Sequence, residues 1–106
     1  MNTSLLQIFI EYKVKEIEVE KYKELMEEIS EKLPQYSAEN IQWFRATDQP
    51  FLYVEMFQVP NEAYYHALKK LRKSNDHPTF SKLDKLIEGG LAKLNCWAFQ
   101  PQSFQK

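Results

Sequence analysis

Glu55 lies on a short run, Phe51-Leu-Tyr-Val-Glu-Met-Phe57, in which a carboxylate is set among aromatic side chains. Strand side chains alternate between faces. One face of this run therefore receives Phe51, Tyr53, Glu55 and Phe57, and the other receives Leu52, Val54 and Met56. The preceding run divides the same way, with Ile41, Trp43 and Arg45 against Gln42, Phe44 and Ala46. A carboxylate and a guanidinium next to Trp43 and Tyr53 suggest chemistry on an electron-rich aromatic ring. An apolar wall raises a carboxyl pKa, which would make Glu55 a general base. Arg45 would hold the resulting phenolate, and Trp43, Tyr53 and Trp97 would stack on rings. The alternative needs no substrate. Arg45 and Glu55 form a structural ion pair, and the aromatics are the core of an interface. An unpaired buried carboxylate is costly, so structure alone would also select an arginine neighbour.

The remaining chemistry-bearing residues are few. His66 and His77 are the only histidines. They are the only imidazole candidates for an axial haem ligand, and without a third ligand they make no zinc site. His77, before Pro78, suits a helix cap. Tyr64, Tyr65 and His66 could line a cavity between helix and sheet, or form the amphipathic edge of a packed helix. The acidic cluster from Glu16 to Glu31 reads as a solvated helix face, with Glu28 and Lys32 at pair spacing. Gly89 and Gly90 are the only glycines. That excludes phosphate-cradling loops, the dinucleotide fingerprint and a nucleophile elbow. They read instead as a helix stop. No metal and no cofactor is called for.

The elements that must position these residues follow from periodicity. Leu5 to Val14 reads as a strand with Leu6, Ile8, Ile10, Tyr12 and Val14 on one face and Gln7, Phe9, Glu11 and Lys13 on the other. Glu18 to Leu33 reads as a helix, with Tyr22, Leu25, Met26, Ile29 and Leu33 at helical spacing, ended by Pro34. Ile41–Thr47 and Phe51–Gln58 read as a hairpin across Asp48-Gln49-Pro50. Pairing Thr47 with Phe51 places Arg45 opposite Tyr53, Trp43 opposite Glu55 and Ile41 opposite Phe57. Arg45 and Glu55 are then diagonal neighbours. A second helix runs from Asn61 to Lys73, burying Tyr64, Ala67, Leu68 and Leu71. Another follows from His77 to Glu88. Leu94–Phe99 is the last strand, with Cys96 and Ala98 on one face and Asn95, Trp97 and Phe99 on the other.

This βαββαβ order is the split ferredoxin-like pattern, an α+β fold. Its usual form is a four-stranded antiparallel sheet with the first and third strands central and both helices on one face. The expectation is that the helices cover the aliphatic set. Phe9, Trp43, Tyr53, Phe57, Trp97 and Phe99 are then left on the open face. Each large aromatic can bury roughly 150–250 Å², far more in sum than the few hundred Å² a monomer usually exposes. A second copy of the chain is the simplest cover.

The third strand with its aromatic-x-Glu-x-aromatic stretch, the aromatic helix Tyr64-Tyr65-His66-Ala67-Leu68, the segment His77-Pro-Thr-Phe80, Leu86-Ile-Glu-Gly-Gly90 and a closing strand together resemble the dimeric α+β barrel superfamily. The nearest likeness is to antibiotic-biosynthesis-monooxygenase-like domains. The resemblance covers nearly the whole chain and rests on order and spacing. It implies two sheets facing each other in a homodimer, with a cavity between sheet and helices in each subunit. The residues themselves give a candidate site at Glu55 and Arg45, with Trp43, Tyr53, Trp97, Phe9, Asn95 and His66 as candidate ligand contacts. Some members oxygenate phenolic or quinol-like aromatics without metal or flavin, relatives degrade haem, and many have no established activity. The first strand has no Asn among Gln7, Phe9 and Glu11, which departs from the haem-degrading relatives. Two readings stay open: a cofactor-independent monooxygenase, and a non-catalytic ligand-binding or interaction module of the same fold.

The 106 residues suffice for one domain, expected over residues 1–100 with a polar tail at 101–106. The hydrophobic fraction of 43% supports a core without disulfides, and Cys96 has no partner for one. The net charge of -1 does not favour nucleic acid. With no signal-like or membrane-spanning stretch, the expected location is the cytoplasm.

Overall fold

The computed structural model describes residues 5–105. Four strands form one antiparallel sheet in the order β2-β3-β1-β4. They are β1 (Leu6–Lys13), β2 (Glu39–Arg45), β3 (Leu52–Val59) and β4 (Asn95–Phe99). Two α-helices, α1 (Val19–Lys32) and α2 (Glu62–Arg72), join them in βαββαβ order. The first and third strands are central, as the ferredoxin-like pattern requires. The segment expected as a helix from His77 to Glu88 is instead a 3-10 turn at Phe80–Lys85. It is compact because its apolar residues are buried: Phe80 and Leu83 pack in the helix layer with α1 and α2, and Leu86 and Ile87 follow. Asn61 caps α2 by accepting from the Tyr64 N–H at 3.2 Å. Gln100 through Gln105 adopt neither helix nor strand.

The core lies between the sheet and the helices. Leu6, Ile8, Ile10 and Tyr12 of β1 are buried there, as their alternation predicts. On β3 the expected faces are reversed. Tyr53, Glu55, Phe57 and Val59 are buried against the helices, while Leu52, Val54 and Met56 point to the open side with partial exposure. Register explains the reversal. β1 and β3 pair Leu6 with Val59, Ile8 with Phe57, Ile10 with Glu55 and Tyr12 with Tyr53, and directly paired residues share a face. Both sides of β3 carry apolar residues, so alternation alone does not choose between them. The arrangement found buries Phe57 and Val59 completely, and Glu55 is carried inward with them.

β2 follows β3. Arg45 is paired with Tyr53 and Trp43 with Glu55, as the hairpin register predicts. The expected pairing of Ile41 with Phe57 is replaced by an irregularity between Glu39 and Gln42. There Asn40 adopts φ 55°, a left-handed conformation that Asn tolerates. Trp43, Tyr53 and Phe57 therefore lie on the helix side, while Phe9, Trp97 and Phe99 stay on the open face as expected. The open face remains rich in apolar residues: Phe9, Phe44, Leu52, Val54, Met56, Trp97 and Phe99. Trp97 is 42% exposed and Phe99 is 53% exposed.

Candidate functional site

Glu55 is 1% exposed and its carboxylate is fully engaged. Arg72, at the end of α2, donates from Nη1 to Oε1 at 2.8 Å and from Nη2 to Oε2 at 2.7 Å. This parallel fork is the strongest form of carboxylate recognition. The expected partner, Arg45, is solvent-exposed at the end of β2 and takes no part. Diagonal proximity on β2–β3 was outweighed by a guanidinium arriving from the helix layer, where the surroundings are dry and the attraction is stronger. Burial opposes the charge on Arg72, but the attraction and hydrogen bonds of Glu55 outweigh it and hold the guanidinium above its ordinary pKa. Arg72 also lies over the Phe80 ring, 5.1 Å from its centroid. Its Nε has no partner among the described residues.

A directed chain of hydrogen bonds runs from this pair towards the surface. Tyr12 donates to Glu55 Oε2 at 2.6 Å. Having spent its single proton there, the Tyr12 hydroxyl must accept across its 2.8 Å contact with Tyr22. The Tyr22 hydroxyl in turn accepts from the Trp43 indole N–H at 2.8 Å. Every proton in the chain points towards Glu55. Burial, then the charge of Glu55, pushes the Tyr12 phenol well above its usual pKa, and burial does the same for Tyr22. Both remain hydroxyl donors at neutral pH. The rings are packed as well: Tyr22 meets Trp43 edge-on, and Trp43 stacks on Tyr53 with centroids 6.1 Å apart.

Clefts open along β2 and β3, where Trp43 is 42% exposed. The inner one, about 130 Å³, is bordered by Met26, Leu33, Ile41, Trp43 and Glu55. It is smaller than the roughly 300–1,000 Å³ of usual ligand sites. The outer one, about 400 Å³, lies between α1 and the β2–β3 turn and is bordered by Lys23, Arg45, Asp48, Phe51 and Tyr53. A shallower recess of about 260 Å³ joins Lys23, Arg45 and Tyr53 to Trp43 and Phe44. Phe51, on the outer wall, has φ 64°. A bulky residue in that region stores roughly 1–3 kcal/mol of strain. Two neighbouring hydrogen bonds hold it there, from Val14 N–H to the Phe51 carbonyl at 2.8 Å and from Ala46 N–H to the Leu52 carbonyl at 2.9 Å.

The sequence-predicted site residues thus separate into groups. Trp43, Tyr53, Arg45 and Glu55 lie on one side of the sheet, with Glu55 closed off beneath the aromatics. Phe9, Asn95 and Trp97 belong to the opposite face. Phe9 and Trp97 are in contact there, with centroids 5.9 Å apart. His66 is exposed on α2, 3.9 Å from Glu62. His77 is a cap: its Nδ1 accepts from the Thr79 and Phe80 N–H groups at 3.0 and 3.2 Å. Burial drives the Cys96 thiol up to about 11, which keeps it protonated in the core. Arg72, Tyr12 and Tyr22 went unremarked as chemistry. A signal for Arg72 existed: it stands four residues after buried Leu68, on the helix stripe facing the sheet.

No family model matches the chain, and no curated protein does. Solved structures do. A NIPSNAP family protein from Agrobacterium tumefaciens superposes with a TM-score of 0.70 at 14% identity, covering 99% of this chain and 92% of that one. A conserved protein from Methanosarcina mazei gives 0.68 at 11% identity, over 94% and 95% of the two chains. A protein crystallised as an antibiotic biosynthesis monooxygenase gives 0.63 at 13% identity, over 94% and 99%. At such identities the shared property is the fold. This chain shares the α+β fold of an antibiotic biosynthesis monooxygenase and of a NIPSNAP family protein.

Proposed function

We propose that the protein is a homodimeric small-ligand-binding module that receives a small aromatic molecule between α1 and the β2–β3 hairpin. The observation that carries this reading is the half-exposed Trp43, stacked on Tyr53 and standing at the wall of an open cleft, above a carboxylate that Arg72 and Tyr12 already satisfy. The indole N–H is committed to Tyr22, so Trp43 offers a ligand its ring face. The open sheet face supports the dimer: its apolar side chains are left uncovered by the protein's own helices, and a twofold partner would bury them.

The oxygenase reading has one observation in its favour, that Glu55 borders the inner cavity. Its cost is that Glu55 must leave a bidentate arginine before it can take a proton. The two readings separate by experiment. In nuclear magnetic resonance titrations with naphthols and hydroquinones, the binding module predicts a shift of the Trp43 indole N–H, none at Trp97, and no oxygen uptake. Shifts at Trp97, or at neither indole, would refute the cleft. Oxygen uptake with a quinol, lost in a folded Glu55→Gln variant, would instead establish the oxygenase.

A further inference from the structure

We infer that the ligand of this cleft is an aromatic carboxylate whose charge is held between Lys23 of α1 and Arg45 of β2. The inference rests on the small-ligand reading above and names the chemical class. Lys23 and Arg45 border both the 400 Å³ cleft and the adjoining 260 Å³ recess, and Tyr53 borders both with them. Cations from two different elements therefore flank one aromatic wall. Neither is consumed internally. Arg45 makes no ion pair among the described residues, and Lys23 has only a 4.0 Å contact with exposed Glu20, which contributes little. One carboxylate, Asp48, also borders the cleft, so the side-chain charge there is net positive by one and suits a monoanion.

The anion must arrive already charged. The buried carboxylate of the site is locked to Arg72, and the protons of Tyr12 and Tyr22 point inward towards it. The one other carboxylate bordering the cleft is Asp48, and a carboxylate is far too weak a base to ionise a neutral phenol. A carboxylate is ionised at neutral pH without help, and Arg45 can meet it with two parallel hydrogen bonds. The strained Phe51 closes the far wall of the same cleft. Backbone strain held in place by its neighbours is a mark of ligand clamps.

The test uses a matched pair, naphthoate and naphthamide, on the full chain, with calorimetry for affinity and the Trp43 indole resonance for location. Naphthoate is expected to bind about tenfold tighter, as a charge-assisted hydrogen bond would give. The advantage should fall in high salt. It should disappear in Arg45→Gln and in Lys23→Gln, whose urea midpoint stays as in the parent, because both side chains are exposed. Equal affinities with a shifted Trp43 resonance would overturn the charge assignment and leave the cleft standing. No response at Trp43 to either compound would overturn both. A naphthoate advantage that persists in both variants would place the anion elsewhere and refute the clamp.

Discussion

Glu55 and Arg72 are each removed from water, and their pairing offsets a desolvation cost of several kcal/mol per ion. Breaking the pair from one side should therefore be severe. Arg72→Met alone is expected to lower unfolding free energy by about 3–5 kcal/mol, a large share of the roughly 5–15 kcal/mol of a whole domain. Converting both residues together, Glu55→Leu with Arg72→Met, should recover most of that loss, since an apolar pair needs no hydration. Urea unfolding of the parent, the single variant and the double variant checks this. An additive loss would show that the pair is not the unit described. Trp43 acts at the other end of the chain. Trp43→Phe removes the donor to Tyr22 and keeps most of the ring, so a loss of about 1 kcal/mol is expected. At this scale the sequence was half legible. Glu55 among aromatics stood out, but its partner could not be identified, because Arg45 is near in the strand register and Arg72 is near only after α2 has packed.

Among the elements, β3 carries the largest lesson. Its alternation was visible, but which face turns inward was not, since Leu52, Val54 and Met56 look more like a core than Tyr53, Glu55 and Phe57. The pairing with β1 decided it. The turn at Phe80–Lys85 depends on His77, whose ring stacks on Phe80 at 4.1 Å between centroids and whose Nε2 lies 3.0 Å from the Tyr36 hydroxyl. Because Nδ1 accepts two backbone N–H groups, the neutral ring must donate from Nε2, and protonation would place a hydrogen against two donors. Burial, with the positive charges of Lys32 and Arg72, lowers its pKa. A histidine with a depressed folded pKa stabilises fully above its unfolded value, about 6.5, and loses that contribution as pH falls below it. Stability of the parent should accordingly drop more steeply below about pH 6.5 than that of His77→Asn, which keeps an acceptor but does not titrate. Parallel pH-dependent unfolding curves for the two would contradict the cap.

For the whole molecule, the dimer is the main expectation. Phe9, Val54, Met56, Trp97 and Phe99 lie on the face opposite the helices. A charge placed at its centre would be desolvated by a partner and tolerated without one. Val54→Lys is expected to yield a monomer by analytical ultracentrifugation with its fold preserved, while Arg45→Gln leaves assembly unchanged. A parent chain that sediments as a monomer at high concentration would remove the basis for the interface. The expectation of an apolar open face survived the reversal of β3 because both faces of that strand are apolar. The composition of the face changed, from Trp43, Tyr53 and Phe57 to Phe44, Leu52, Val54 and Met56, and the candidate cleft moved with Trp43 to the helix side.

What the sequence determined by itself was the order of elements, the hairpin register near Arg45 and Trp43, the cap at His77 and the existence of an oily sheet face beyond the helices. These are local or periodic properties, set by spacing, turn residues and alternation along the chain. The tertiary structure alone decided which side of β3 is buried, that Glu55 meets Arg72 rather than Arg45, and that Tyr12, Tyr22 and Trp43 form one directed chain. Each of those depends on groups far apart in sequence that meet only when α1 and α2 close over the sheet. Their energies come from burial and pairing, which a linear pattern does not contain.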